Sequence, residues 1–253
     1  MSSEITPSFL SAGLQELFKK SHHHDFVIQC GQRKWKVHKA ILHVATPYFA
    51  GLFENDYQEN ETGILDLSVD EPSVINAMLE YMYGGKYDDA ALDAEEKITF
   101  AAKVFVIADK YQFKDLKAES ASQIEILIDK PLSDGRDFSR AVQIIYENTN
   151  DVGGQEVALR GTLVECAWNC SEMFMRDDGF RAMLKEVSGF GADVAIAGME
   201  NSTFRDPQSN TYRCPNCSFL CQLDMDEYKS HPDRYCAWCG DQFSKGFWEQ
   251  HRD

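Results

Sequence analysis

Phe26-Val27-Ile28-Gln29-Cys30-Gly31-Gln32-Arg33-Lys34-Trp35-Lys36-Val37 is the stretch on which the fold of this chain turns. Phe26 to Cys30 is rich in β-branched and aromatic residues and reads as a strand, Gly31-Gln32 as a turn, and Lys34 to Val37 as an alternating return strand. The next residues change period. His38 to Phe53 is predicted helical in two pieces, broken at Thr46-Pro47, because proline disfavours helix in the residue before it. Upstream, residues 8–20 place Phe9, Leu10, Leu14, Leu17 and Phe18 at helical spacing, and Ser21-His22-His23-His24 ends the run. Downstream, Ile64-Leu65-Asp66-Leu67 is a third strand. Val74, Ile75, Met78, Leu79 and Met82 line a helix that stops at Gly84-Gly85, and Ile98, Ala101, Val104, Phe105, Ala108 and Tyr111 line another. A hairpin and one further strand among helices make an α+β domain of about 120 residues, over 8–128.

Between about 135 and 190 no strand pattern is left. Phe138, Ala141, Val142, Ile145 and Tyr146 form one helical stripe; Leu159, Leu163, Cys166, Ala167 and Cys170 form a second; Phe180, Met183, Leu184 and Val187 form a third. Three short helices rarely build an independent core, so 135–192 is read as a helical extension packed on the first domain. Gly198 to Asn210 has linker composition, and 193–211 is read as a linker to a last module, 212–253.

That module carries the chemistry. Cys214-Pro-Asn-Cys217 is followed, after 18 intervening residues, by Cys236-Ala-Trp-Cys239. Two residues between thiolates let one tight turn aim both sulfurs at one ion, and two such turns complete a tetrahedron. A structural zinc is expected, since four protein ligands leave no position for a reacting water. A weak internal repeat leaves the ligand set open. Tyr212-Arg-Cys214 runs on to Tyr228-Lys-Ser-His231, and Tyr235-Cys236 to Trp248-Glu-Gln-His251, so that His231, His251 and Cys221 are alternative ligands beside the four cysteines.

The formal charge is −16, from 41 acidic and 25 basic residues. Over Tyr212–Asp253 seven acidic residues oppose five basic ones. Such a balance repels phosphate backbones, and a nucleic-acid role is disfavoured. The N-terminus has no basic stretch followed by an apolar core, and no run is long enough to span a bilayer, so neither a secretory leader nor a membrane role is expected. A cytoplasmic or nuclear location follows, in which paired cysteines read as metal ligands rather than disulfides. No nucleophile–base–acid set and no phosphate-binding glycine motif is present, and the chain is not expected to be an enzyme. His22-His23-His24 reads as a polar loop. Cys166 and Cys170 share a helix face and read as core.

Asp25-Phe26-Val27-Ile28, His38-Lys39-Ala40-Ile41-Leu42, Pro47 to Phe53, Ile64-Leu65-Asp66-Leu67, Met78 to Gly85 and Ala108-Asp109-Lys110-Tyr111 stand in one order. Together they resemble the BTB/POZ family, in its speckle-type branch. The resemblance implies a helical cluster flanked by a small sheet, self-association, and adaptor work between a cullin scaffold and a substrate. It implies a partner contact at Phe53, Tyr57, Gln58 and Glu59, and a charged pocket at Asp25 and His38, for which Lys39 or Arg33 could supply a partner charge; the plainer reading, preferred here, is that Asp25 and His38 pin the hairpin to the first helix. The apolar stripe Leu10, Leu14 and Leu17 of the first helix is the expected dimer contact. Two functions follow. One is a non-catalytic homodimeric adaptor, with the zinc module recruiting an unidentified protein and the BTB part serving a cullin-type ubiquitin ligase. The other is a BTB-zinc-finger transcriptional regulator.

Overall fold

The computed structural model describes residues 8–130, 135–149, 154–203, 211–222, 233–236 and 238–252. The described residues divide into two compact units. One runs as far as Leu127 and includes Arg136–Thr162; the other takes Ile128–Gly135 and the residues from Leu163 on. Among the described residues no helix is long and apolar enough to cross a membrane.

The first unit begins with helix α1 (Ser8–Lys20) and the hairpin β1 (Phe26–Cys30) and β2 (Arg33–Val37). The hairpin is antiparallel, with Phe26 opposite Val37 and Ile28 opposite Trp35. Helices α2 (Lys39–Ala45), α3 (Pro47–Glu54) and α4 (Gln58–Thr62) lead to β3 (Ile64–Asp66), which runs parallel to β1 and completes the order β2-β1-β3. The period-two pattern has its physical consequence here. Phe26, Ile28, Cys30, Trp35, Val37 and Leu65 are buried, while Lys34 and Lys36 are exposed. The break at Thr46-Pro47 is built as expected. Thr46 is extended, its hydroxyl accepts from the Phe49 N–H at 3.2 Å, and Pro47 takes the first helical position, where its missing donor costs nothing.

Helices α5 (Pro72–Gly84), α6 (Lys97–Lys110), α7 (Lys114–Ile128), α8 (Arg136–Asn148) and α9 (Gly154–Asn169) follow. α5 ends where glycine is needed: Gly85 sits at φ 67° and its N–H returns to the Tyr81 carbonyl. The core gathers Ile28, Val37, Leu42, Phe49, Ile75, Met78, Leu79 and Val104, all but inaccessible to solvent. α8 packs along α6, burying the predicted Phe138, Ala141, Val142 and Ile145. Asp137 anchors that pair. Its carboxylate is buried and accepts from the N–H groups of Ile98 and Thr99 at 2.9 and 2.8 Å, two donors that the start of α6 would otherwise leave orphaned.

Two expectations are corrected. Residues 135–192 do not form one appendage, because α8 and α9 as far as Thr162 belong with the first unit and the rest with the second. The aromatic residues explain the division: Phe174 stacks on Phe180 at 4.7 Å and Phe180 meets Phe190 edge-on, a separate cluster around α10 (Ser171–Phe174), α11 (Asp178–Glu186) and α12 (Ser188–Thr203). The linker expected over 193–211 is helical as far as Thr203. Its composition misled the reading, and Gly198, like Gly191 just before the expected linker, serves close contact rather than flexibility. A Cβ on Gly191 would lie 2.6 Å from the Leu184 carbonyl oxygen, and one on Gly198 would lie 2.8 Å from the Trp168 ring.

Candidate metal centre and partner-contact residues

The C-terminal module consists of two similar hairpins. β4 (Thr211–Arg213) pairs with β5 (Leu220–Gln222), and β6 (Asp233–Tyr235) with β7 (Gln242–Ser244), both antiparallel. Each cysteine pair occupies the turn of one hairpin. In the first, the Ser218 N–H returns to the Cys214 carbonyl at 2.8 Å and the Cys214 N–H reaches Phe219. In the second, the Gly240 N–H returns to Cys236 at 3.0 Å and the Cys236 N–H reaches Asp241. The residue after each second cysteine is left-handed, Gly240 at φ 73° and Ser218 at φ 61°. Glycine suits that position; Ser218 adopts it at some conformational cost.

These turns aim four sulfurs at one point. Cys214 Sγ lies 3.7 Å from Cys239 Sγ and Cys217 Sγ 3.6 Å from Cys236 Sγ, with all four within 4.8 Å of one another. A tetrahedron with Zn–S arms of ~2.3 Å has edges of about 3.8 Å, so the spacing fits a zinc ion. The surrounding donors fit too. At Cys214 burial opposes ionisation, but the backbone N–H groups of Cys217 and Asn216 and the neighbouring thiols outweigh it and hold the thiol below its usual value. Burial pushes Cys217 and Cys236 up to about 12, so thiols this close resist losing their protons together. A divalent cation reverses that balance by supplying the opposite charge.

Around the cluster lies a small aromatic core. Trp248, from α13 (Lys245–Glu249), and Tyr212 are buried edge to face, Phe243 meets Trp248 edge-on, and Phe219 from one hairpin stacks on Trp238 from the other at 5.8 Å. Asn216 donates to Asp241 across the two turns. Neither this bridge nor the stacked rings was visible in the spacing of the cysteines.

His251 is placed elsewhere. Its Nδ1 faces the Phe247 carbonyl at 3.0 Å and its ring stacks on Phe247. Among the described residues the group able to hold a metal is the four cysteines. Cys221 pairs through its backbone with Tyr212 in the first hairpin, and His231 lies outside the described residues.

In the first unit, Asp25, His38 and Lys39 come together at the junction of hairpin and helix. Asp25 Oδ1 accepts from the backbone N–H of Lys39 at 2.7 Å, capping α2 from outside the helix. The Lys39 ammonium instead goes to Asn60 Oδ1 at 2.7 Å, over the rings of Phe26 and Phe53. Arg33 stands over the Trp35 ring. His38 Nε2 faces the His22 carbonyl at 2.6 Å; a carbonyl only accepts, so the proton sits there, and Nδ1 accepts from the Tyr83 hydroxyl at 2.8 Å. Burial pushes the Tyr83 phenol up to about 12, keeping that donor protonated. Tyr83 and Asn60 escaped sequence reasoning, because no local pattern marks a hydroxyl that reaches across 45 residues. These groups pin the hairpin to α2.

Of the residues named for partner contact, Tyr57 stands in the extended backbone before α4 and is 52% exposed. Gln58 is exposed, Glu59 half-buried in the first turn of α4, and Phe53 half-buried with its ring against Phe26 and Phe49. In α1, Leu14 packs with Phe18 on the unit's own core, Leu17 is half-buried, and the side chain of Leu10 lies outside the described residues.

The first unit is thus a sheet of order β2-β1-β3 wrapped by helices, with a capped junction at Asp25. The comparisons give its family. The BTB/POZ domain family matches residues 14–157, and the chain belongs to it. TD and POZ domain-containing protein 5 of Mus musculus is 30% identical over 146 residues, which are 49% of this chain and 41% of that relative. The chain thus spans less than half the length of the curated relative it matches. The solved BTB domain of zebrafish PATZ1 is 16% identical over 47% of this chain and 90% of its own, with a TM-score of 0.39. BTB domains generally self-associate and bind other proteins. The four cysteines lie beyond the matched residues.

Proposed function

We propose that the chain is a non-catalytic adaptor. It self-associates through the BTB unit, offers the Phe53–Glu59 segment to a cullin-type scaffold, and recruits a further protein through a zinc-ordered C-terminal module, in the cytoplasm or nucleus. The observation that carries this reading is the exposed Tyr57, an apolar ring in the segment joining α3 to α4 of a BTB domain, with an acidic residue two positions on. An exposed aromatic of this kind is the residue type that anchors interfaces. Self-association is proposed through α1, where Leu17 is half-buried while Leu14 already packs on the unit's own core. At the metal, Cys214, Cys217, Cys236 and Cys239 would hold a structural zinc, which supplies cross-linking and no reaction. Seven acidic residues against five in the tail speak against its use as a DNA reader.

The test is titration calorimetry of the full chain with a cullin N-terminal domain. Tyr57→Ala and Glu59→Lys are each expected to weaken binding by roughly tenfold or more. Cullin binding that both variants leave unchanged overturns the placement of the contact. The absence of binding in the unaltered chain overturns the cullin role.

A further inference from the structure

A cavity of about 810 Å³ opens on the first unit between α1, the β1–β2 hairpin and the end of α5 with the loop beyond it. Four lysines line it: Lys19 from α1, Lys34 and Lys36 from the edge strand β2, and Lys86 after α5. All four are exposed, and among the described residues none of their ammonium groups has a hydrogen-bond or ion-pair partner. Most lysines elsewhere in the unit are held, Lys20 by Glu16, Lys39 by Asn60, Lys97 by Asp89, Lys103 by Glu71, Lys110 by Asp70, and Lys117 by Asp109 and Glu156, while Lys114 stands alone among the described residues. The two acids of the cavity are committed locally. Glu80 accepts from Asn76 Nδ2 at 2.8 Å and from the Asp88 N–H at 3.1 Å, and Asp88 accepts from the Ala90 N–H at 2.9 Å.

The lining is also aromatic. Phe18 stacks on Tyr83 at 4.8 Å, and Trp35 and Tyr87 add two more rings. Lys34 and Lys36, two apart on a strand, project to the same face about 6–7 Å apart, the spacing at which an extended peptide repeats its own side chains. A chain of formal charge −16 therefore gathers four lysines against two carboxylates, Glu80 and Asp88, around one aromatic-lined cavity, a local excess of positive charge. A long polyanion would meet the repulsion of the whole acidic protein. A short acidic segment, within a Debye length of ~8–10 Å, meets chiefly the local lysines.

We propose that this cavity docks an extended acidic peptide segment of a partner protein, with carboxylates at alternate positions on Lys34 and Lys36 and an aromatic side chain among Phe18, Tyr83 and Tyr87. This site stands apart from the metal centre and from the Phe53–Glu59 segment, and its failure would leave both untouched. The experiment is a fluorescence-anisotropy titration of the full chain with a fluorescein-labelled peptide of alternating Glu and Tyr. Saturable binding that weakens with salt is expected. Lys34→Glu combined with Lys36→Glu should weaken it by roughly tenfold or more. Lys86→Glu alone should weaken it in the same direction, and both variants should keep the parent's melting temperature, since these side chains are exposed. A charge-matched control, Lys114→Glu with Lys185→Glu at exposed positions outside the cavity, should change it by less than about twofold.

Absence of saturable binding, or an equal loss in the control, overturns the proposal. So does equal competition by an oligodeoxythymidylate of the same charge, which would assign the cavity to nucleic acid. A shift from dimer to monomer in the Lys34→Glu, Lys36→Glu variant by sedimentation overturns it in favour of a second copy of this chain.

Discussion

The BTB unit and the C-terminal module solve the same problem with different means. In the first, buried apolar residues from three strands and several helices converge on one core. In the second, the described residues, two three-residue-strand hairpins and one turn of helix, gather their buried side chains at Tyr212, Cys214, Cys236 and Trp248. A segment that small offsets little of its conformational entropy by burial, and a metal held by the four cysteines, whose spacing fits one, would supply the cross-link. On that reading fold stability is spread widely in one region and concentrated at a point in the other.

The largest expected effect follows from that concentration. Structural zinc contributes on the order of 10–16 kcal/mol to small modules. Stripping the metal with a strong chelator, or changing Cys236 to Ala, should release one zinc per chain and deprotect the amides of 211–252 in hydrogen exchange. The melting temperature of the BTB unit should stay where it was. Deprotection that spreads into the BTB amides would break the contrast, and protection of the tail without metal would show that the aromatic core suffices.

The converse experiment attacks the distributed core. Phe49 is fully buried and stacks near Tyr111 and Phe53. Phe49→Ala should cost about 3–5 kcal/mol in chemical denaturation of the BTB unit and leave zinc content unchanged. Loss of zinc in this variant would mean that the two regions fold together.

A third effect is smaller and local. Asp137→Ala leaves the N–H groups of Ile98 and Thr99 without their acceptor in a buried place, at a cost of about 2–3 kcal/mol. Asp137→Asn keeps one acceptor oxygen and should recover part of it. Equal loss in both variants would point to packing rather than to the two hydrogen bonds.

How much of this was legible depends on the range of the signal. The hairpin, the break at Thr46-Pro47 and the stop at Gly85 are local events, dictated by residues within a few positions, and each stands in the structure where the pattern puts it. The two cysteine pairs share that advantage, since each turn is written in four residues. Helix α7 escaped notice because Lys114–Ile128 is largely polar, with an apolar stripe too sparse to read. α12 was taken for linker because glycine is locally ambiguous: only the Leu184 carbonyl and the Trp168 ring reveal why Gly191 and Gly198 lack side chains. Long-range polar pins were legible only in part. Asp25 and His38 were read as pinning the hairpin to the first helix, but that Asp25 does so through the backbone N–H of Lys39, and His38 through Tyr83, was not. His251 looked like a ligand by repeat and instead closes a turn of helix on the Phe247 carbonyl.

The smallest effect tests whether ion pairs in the BTB unit matter beside its core. Lys117 is 12% exposed and holds Asp109 at 2.6 Å and Glu156 more closely still. Burial pulls the Lys117 ammonium down, but the bonds to Asp109 and Glu156 outweigh it and raise its pKa. The bond from Lys117 holds the Glu156 carboxyl below its ordinary value, against a smaller opposing push from burial. A depressed carboxyl stabilises the fold above its unfolded pKa and loses that contribution as pH falls through the folded value. A raised ammonium stabilises below its unfolded pKa and loses it only as pH climbs past the folded one. Lys117→Met should therefore cost about 1 kcal/mol across the neutral range, because the methionine stem retains much of the packing. The difference from the parent should shrink as pH falls below the ordinary glutamate range and through the lowered folded value of Glu156, and again as pH climbs above the ordinary lysine range. Urea denaturation at several pH values reads this directly. A penalty that stays constant from acid to alkali would assign Lys117 a packing role alone, and with it leave the BTB unit to its apolar core.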